Sequence, residues 1–260
     1  MYVFCGSDPL LALLRPSNTD GAKGSLLALK YLVKRIRKAW GEDVNIIFRG
    51  DTGFMRRKVL RWSEANKVSY IVGQAHHAGI KALTAGFRAK VAEDFTKTGE
   101  KQRQFMELGY RPKDGTTFRR VIMKAEHTAQ GENPRCIVTN LSGDPQELYD
   151  KVYCARGDME NRIKEQQLGL FADRTSTSQW WSNQFRLLLS TFAYILLDRL
   201  RTHALKGTEW AKKQCSTLQV KLIKIGAVIT RNTRRIKVHL SSSYPHQDIF
   251  EHAYRNLMSG

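Results

Sequence analysis

The chain is 260 residues long and carries 43 Lys and Arg against 24 Asp and Glu, a formal net charge of +19. Hydrophobic residues make up 42%, enough apolar material for one large or two modest cores, which excludes a disordered polycation. The longest uncharged apolar run, Leu187 to Leu197, is 11 residues where a spanning helix needs about 20, so no membrane partner is expected. Met1 to Leu14 lacks the basic start and small-residue cleavage pattern of a secretory leader, which points to the cytoplasm. Cys5, Cys136, Cys154 and Cys215 are too widely spaced for a zinc or disulfide framework and read as buried, reduced thiols. A folded chain with this excess of cations points first to DNA or RNA, because phosphate neutralisation dominates such binding.

In chain order, Tyr2 to Cys5 and Leu10 to Leu14 read as strands around the turn Gly6-Ser7-Asp8-Pro9. From Gly21 to Trp40, apolar residues recur at helical spacing while Lys30, Lys34, Arg35, Arg37 and Lys38 fall mostly on other faces, giving a basic amphipathic helix. A β-rich run from Val44 to Arg49, a helix from Met55 to Asn66 and a strand from Tyr70 to Gly73 follow. This alternation predicts that residues 1–76 form the first part of an α/β sandwich on a partly parallel sheet. A helix over Ala78 to Phe95 then leads to strands at Gln104 to Tyr110, Phe118 to Ala125 and Cys136 to Thr139, predicted as an antiparallel β insertion over residues 77–143. Residues 144–205 hold a long helix from Pro145 to Gln167 and an apolar helix from Ser178 to Leu205; residues 206–260 form a basic, mixed C-terminal region.

Two segments carry candidate chemistry. Asp51 follows an apolar strand directly, in Arg49-Gly50-Asp51-Thr52-Gly53-Phe54, and ligands of α/β sheets gather beyond the carboxyl ends of strands. An ordinary helix N-cap accounts for Asp51 equally well. The second segment is Tyr153 to Gln167. On a uniform α-helix, Tyr153, Arg156, Glu160, Lys164 and Gln167 share one stripe, either a solvated row of ion pairs or a phosphate-gripping edge around one carboxylate. Adjacent His76 and His77 diverge and lack a third metal ligand, and Trp180, Trp181 and the aromatic run to Tyr194 are expected to fill a core. Residues 199–240 hold Arg199, Arg201, Lys206, Lys212, Lys213, Lys221, Lys224, Arg231, Arg234, Arg235 and Lys237 against the one acid Glu209, a balance that suits a DNA backbone.

Tyr153, Arg156 and Glu160 at these spacings resemble the signature helix of bacterial cut-and-paste insertion-sequence transposases of the DDE type, whose fold is ribonuclease-H-like. The likeness extends through Arg49 to Phe54, Phe171 to Thr175 and Leu222 to Ala227, essentially the whole chain. The signature ordinarily closes with Lys seven residues after the Glu; this chain has Gln167 there and Lys164 one turn earlier.

The resemblance implies that Asp51 and Glu160 are catalytic carboxylates and ligands of Mg²⁺ or Mn²⁺ in a two-ion site, the ions stabilising attacking and leaving oxygens of a phosphodiester displacement. It implies that Tyr153, Arg156, Arg162 and Lys164 touch double-stranded DNA, joined by Lys221, Lys224, Arg231, Arg234, Arg235 and Lys237. In the family it resembles, water attacks at the transposon end to free a 3′-hydroxyl, which then attacks target DNA, and the resemblance implies a homodimer in a synaptic complex. The family's first catalytic Asp lies on a strand upstream of the segment that Tyr2 to Gly6 resembles. An incomplete, N-terminally truncated core with impaired transposition is therefore expected, in a bacterial, nucleoid-associated setting. The alternatives are a non-catalytic DNA-binding remnant and, third, a generic ribonuclease-H-type nuclease.

Overall fold

Tyr70, Ile71 and Val72 are all sealed from solvent, yet Tyr70 and Val72 enter one hydrophobic core and Ile71 another, as a strand with both faces covered requires. The same alternation separates Val121 and Met123 from Ile122, and Cys136 and Val138 from Ile137. A computed structural model describes residues 1–111 and 117–259 and divides the chain into two units. One is Ser17–Gly157; the other joins Met1–Pro16 to Asp158–Gly260.

The chain opens with β1 (Tyr2–Cys5) and β2 (Asp8–Ala12) and continues into α1 (Ser25–Trp40), β3 (Ile47–Gly50), α2 (Arg57–Ala65) and β4 (Ser69–Gln74). Next come α3 (Ala78–Leu83), α4 (Ala85–Thr98), β5 (Gln102–Tyr110), β6 (Arg119–Thr128), β7 (Gly131–Glu132) and β8 (Arg135–Thr139). In the Ser17–Gly157 unit a mixed sheet runs β3-β4-β8-β6-β5, with β7 beside β6. Only β3 and β4 are parallel. The strands expected as an insertion are antiparallel, but they extend this same sheet, because β8 pairs along β4 from Ile71↔Thr139 to Gln74↔Cys136. A strand buried on both faces needs a hydrogen-bonding partner on each edge, and β3 and β8 supply them.

Local signals move some predicted boundaries. The first helix begins at Ser25 rather than Gly21 because Gly24, at φ 85°, takes a left-handed turn immediately before it. One predicted helix over Ala78 to Phe95 becomes two, α3 and α4, hinged at Thr84, whose hydroxyl donates to the Ile80 carbonyl at 2.8 Å. The two N-terminal strands do not join the mixed sheet. They pair with each other in an antiparallel hairpin, and Phe4 packs edge-on to Tyr194 of the second unit at 6.1 Å.

That second unit is built on α7 (Trp180–Arg199), whose Leu187, Tyr194 and Leu197 are buried. Around it gather Leu205, Trp210, α8 (Cys215–Leu218), Leu222 and Ala253 of α9 (Gln247–Met258). The aromatic run fills this core only in part: Tyr194 is fully buried, but Trp181 is 76% exposed, and Phe185 and Phe192 are exposed too. Arg201, counted in the basic stretch 199–240, is buried and paired to Glu165 and Asp198 at 3.0 Å each, so it serves the fold. A separate antiparallel hairpin, β9 (Ala227–Arg231) with β10 (Ile236–Leu240), is exposed along both strands. Two thiols depart from the expectation of burial. Cys5 and Cys154 are exposed, whereas burial pushes the Cys136 and Cys215 thiols up to about 11 and about 12. Among the described residues no helix is long and apolar enough to cross a membrane.

One ion pair ties a helix to the sheet's interior. Arg119 of β6 donates from Nε and Nη2 to Glu64 of α2 at 2.8 and 3.0 Å, and the Tyr70 hydroxyl donates to the same carboxylate at 2.7 Å. Burial alone would raise the Glu64 carboxyl, but these hydrogen bonds outweigh it and hold the group below its ordinary range. A depressed carboxyl contributes stability above its unfolded pKa, which is lost as pH falls through the folded value. Stability to denaturant should therefore drop below about pH 4.3. Glu64→Gln should cost about 1–3 kcal/mol at neutral pH and flatten that acid limb. Parallel pH curves for the two proteins would contradict this role.

Candidate active site at the end of a parallel strand

Strands β3 and β4 run side by side from Ile47↔Ser69 to Gly50↔Val72, so both point their carboxyl ends the same way. Asp51 is the first residue beyond β3 and is exposed. Its backbone is extended (φ −77°, ψ −177°), and its Oδ1 accepts the Gly53 amide at 2.8 Å, capping a tight helical turn over Thr52–Phe54. The capping reading holds and leaves room for the functional one: one carboxylate oxygen shapes the turn, and Oδ2 makes no hydrogen bond among the described residues. A Cβ on residue 53 would stand 2.9 Å from that Oδ1, so glycine there keeps the carboxylate in place.

Thr52 lies against β4. A Cβ on Gly73 would fall 2.7 Å from the Thr52 amide nitrogen, 2.8 Å from its Oγ1 and 2.9 Å from the Tyr153 hydroxyl. Three chain segments therefore meet over a residue that must lack a side chain. Gly73 and Thr52 were not singled out from sequence, although a lone glycine inside an apolar strand run, Tyr70-Ile71-Val72-Gly73-Gln74, signals a close backbone approach.

Tyr153 reaches this point through a helical stretch that begins at α5 (Pro145–Glu147), where Asp144 Oδ1 accepts the Glu147 amide at 2.9 Å. A wide turn over Leu148–Tyr153 buries Leu148 and Tyr149 against Ile71, Ile122 and Ile137. Two further clamps hold it: Arg49 Nη1 donates to the Val152 carbonyl at 3.1 Å, and Arg103 forks onto Asp150, holding that carboxyl below its usual range. Burial pushes the Tyr153 hydroxyl up, the Asp51 charge pushes the same way and Arg156 opposes them, so the phenol stays a proton donor at neutral pH. The Arg156 guanidinium sits 5.8 Å from the Tyr153 ring centre. A carboxylate oxygen, two hydroxyls and a guanidinium in one place suit a phosphodiester: the donors bind its oxygens and the carboxylate attracts a cation or a proton.

The predicted single stripe assumed constant α pitch, whereas the helix is wide over Leu148–Tyr153, tight over Cys154–Arg156, α-helical in α6 (Gly157–Lys164) and wide again over Glu165–Gly169. The division between units also falls within it, at Gly157 and Asp158. Tyr153 and Arg156 lie in the unit of Asp51; Glu160, Lys164 and Gln167 lie in the other. Glu160 and Lys164 are exposed on α6. Arg162 donates to the Tyr194 hydroxyl at 3.2 Å and stands 3.7 Å from Asp158, so its guanidinium braces the helix. Lys221 and Lys224 are exposed, as are Arg231, Arg234, Arg235 and Lys237 on and around the β9–β10 hairpin. Asn232 Oδ1 fixes that hairpin's tip by accepting the Arg234 and Arg235 amides at 3.0 and 2.8 Å.

Among the described residues no three His, Cys, Asp or Glu side chains converge as a metal-binding group. A two-ion centre needs several carboxylate oxygens, and the neighbourhood of Asp51 supplies one that is not already hydrogen-bonded, so the described ligand set falls short of two ions and suits at most one that keeps most of its waters. His76 instead meets the Thr84 hydroxyl at 3.3 Å, and His77 stacks at 5.2 Å on Tyr110.

The model of one protein family, the transposase DDE domain, group 1, matches residues 1–259. None of the curated proteins compared with the chain matches it.

The cradle makes a direct prediction. In Gly73→Ala the new methyl meets a backbone amide that cannot rotate away, so about 1–3 kcal/mol of stability should be lost, read by denaturant unfolding. Tyr153→Phe should relieve only the hydroxyl and leave stability within about 1 kcal/mol of the parent. A Gly73→Ala protein as stable as the parent would show that the three segments are not packed as described.

Proposed function

We propose that this chain, which belongs to the DDE-domain transposases, uses Asp51 and Glu160 as catalytic carboxylates in the DNA cleavage and strand transfer that move an insertion sequence. The observation that carries the reading is the meeting of Asp51-Thr52, Gly73 and Tyr153 beyond the end of a parallel strand, because Tyr153 and Asp51 come from the two segments whose residues match the family's signatures. Transposases of this family act on DNA and generally with divalent metal ions, and Mg²⁺ or Mn²⁺ is the cofactor the reading assigns. Tyr153 donates its hydroxyl hydrogen to a phosphate oxygen and Arg156 adds a positive charge on the same unit. Lys164, Lys221 and Lys224 neutralise backbone phosphates on the other unit, with Arg231, Arg234, Arg235 and Lys237 of the hairpin.

Because no three metal-binding side chains converge among the described residues, we infer that the 260-residue chain on its own cleaves poorly. The same observation favours the second reading, a DNA-binding relative without catalysis. A nicking assay on terminal-repeat DNA with Mg²⁺ or Mn²⁺ separates them. The first reading expects weak, metal-dependent nicking that Asp51→Asn or Glu160→Gln lowers by about 100-fold, the scale on which losing one electrostatic partner of a transition state acts. DNA binding without cleavage in either metal supports the second. Robust cleavage that Asp51→Asn abolishes would overturn the inferred weakness while supporting the chemistry.

A further inference from the structure

The helix α1 presents a face that the catalytic reading leaves unused. Its inner side buries Ala28, Leu29, Leu32 and Val33, and its apolar neighbours pack on Val59, Trp62 and Val68. The outer side exposes Lys30, Lys34 and Lys38 at successive i,i+4 positions, flanked by Arg35, Leu27 and Tyr31. At 1.5 Å per residue the three lysines form a line about 12 Å long.

What separates this face from an ordinary solvated one is its lack of acids. No Asp or Glu occurs between Gly21 and Gly41. On other helices some exposed cations are paired one turn apart, Lys97 with Glu93, Lys151 with Glu147, Lys213 with Glu209 and Arg255 with Glu251, while Lys58, Lys81, Lys90 and Lys164 make no ion pair among the described residues but do not form an i,i+4 row of three. On α1 only Arg37 has such a partner, Glu42 beyond the helix end. Lys30, Lys34, Arg35 and Lys38 make no ion pair among the described residues. Like charges at i,i+4 destabilise a helix slightly, a cost that a polyanion laid along the row would remove.

We propose that the outer face of α1 is a second, sequence-independent docking surface for duplex DNA, on the same unit as Asp51. The three ammonium groups would follow the phosphates of one strand, with the Arg35 guanidinium and the Tyr31 hydroxyl as further donors at its edge. This inference rests on the proposed DNA-processing role and assigns it a surface that neither the family signature nor the C-terminal basic residues provide. Duplex DNA suits a straight row of point charges. A membrane-lying helix instead needs a wide apolar face free to enter lipid, and the apolar face of α1 is already committed to the core.

The test is duplex binding by the full chain across a salt series, read by fluorescence anisotropy, for the parent and for the triple variant Lys30→Ala, Lys34→Ala, Lys38→Ala. Alanine favours helix, so folding should persist and circular dichroism checks it. The variant should bind about 10- to 100-fold more weakly, with a log–log salt slope shallower by about 2–3, since each lost phosphate contact removes about 0.9. A control with the same charge change on α3 and α4, Lys81→Ala, Lys90→Ala and Lys97→Ala, should stay within about 3-fold of the parent, because those lysines are not assigned to phosphate. Equal losses in the two variants would reduce the effect to net charge and overturn the proposal. Binding to phosphatidylserine vesicles, lost in the α1 variant while duplex binding is kept, would overturn it in favour of a membrane surface. A parent chain that binds no duplex at all would instead bring down the DNA-processing role on which the proposal rests.

Discussion

Strand β4 is sealed on both faces and paired on both edges, and the rest of the Ser17–Gly157 unit follows from that constraint. An unpaired backbone group in such a position is costly, so β3 must lie on one side and β8 on the other. The Ile71 face needs a cover, which the Leu148–Tyr153 turn provides, and that cover brings Tyr153 to the strand's carboxyl end. The Tyr70 and Val72 face is closed by Leu60, Ile80 and Val91 from three helices. Gly73 is where the constraint becomes chemistry, because its missing side chain lets Thr52 and Tyr153 approach the strand and gathers hydroxyls beside the Asp51 carboxylate.

Charge divides into cations paired inside the fold and cations exposed to solvent. Arg119 and Arg201 are buried, each held by carboxylates at about hydrogen-bond distance, and removing either partner would strand a charge away from water. Arg103 and Arg162 brace the helical stretch that carries the signature residues. The lysines of α1 and the cations of the β9–β10 hairpin sit at the other extreme, exposed on elements that carry no acid. The net charge of +19 is therefore uneven in its roles: part of it is paired inside the fold, and the remainder is exposed and, on the proposed function, meets a polyanion.

Much of this was legible in the residues. The apolar periodicities of Gly21 to Trp40 and Tyr70 to Gly73 placed a helix and a strand close to where α1 and β4 lie, and the tripeptide Arg49-Gly50-Asp51 marked the strand end. Pairing partners were not legible, because period-2 alternation says which side chains are buried and nothing about which strand lies alongside. Hence the pattern alone places β8 in an insertion and β1 in the main sheet, whereas β8 pairs along β4 and β1 pairs with β2. Within the basic stretch 199–240, Arg201 does not stand out as structural, because its ion pairs come from Glu165, far away in sequence, and from Asp198, which lies just outside the stretch. The stripe from Tyr153 to Gln167 presumed one pitch; the wide turn that lets Tyr149 pack on Ile71 is a tertiary demand that spacing alone does not reveal.

The central claim is that the Asp51 carboxylate and the Tyr153 hydroxyl belong to one DNA-processing centre that works with a divalent cation. The most direct measurement replaces Mg²⁺ with Fe²⁺ and ascorbate in the presence of duplex DNA and maps where the protein backbone is cut by radicals generated at the bound ion. The account predicts cuts next to Asp51 and next to Tyr153, both suppressed by excess Mg²⁺ and both lost in Asp51→Asn. A cleavage pattern that leaves these two segments intact, or that Asp51→Asn does not alter, would contradict it.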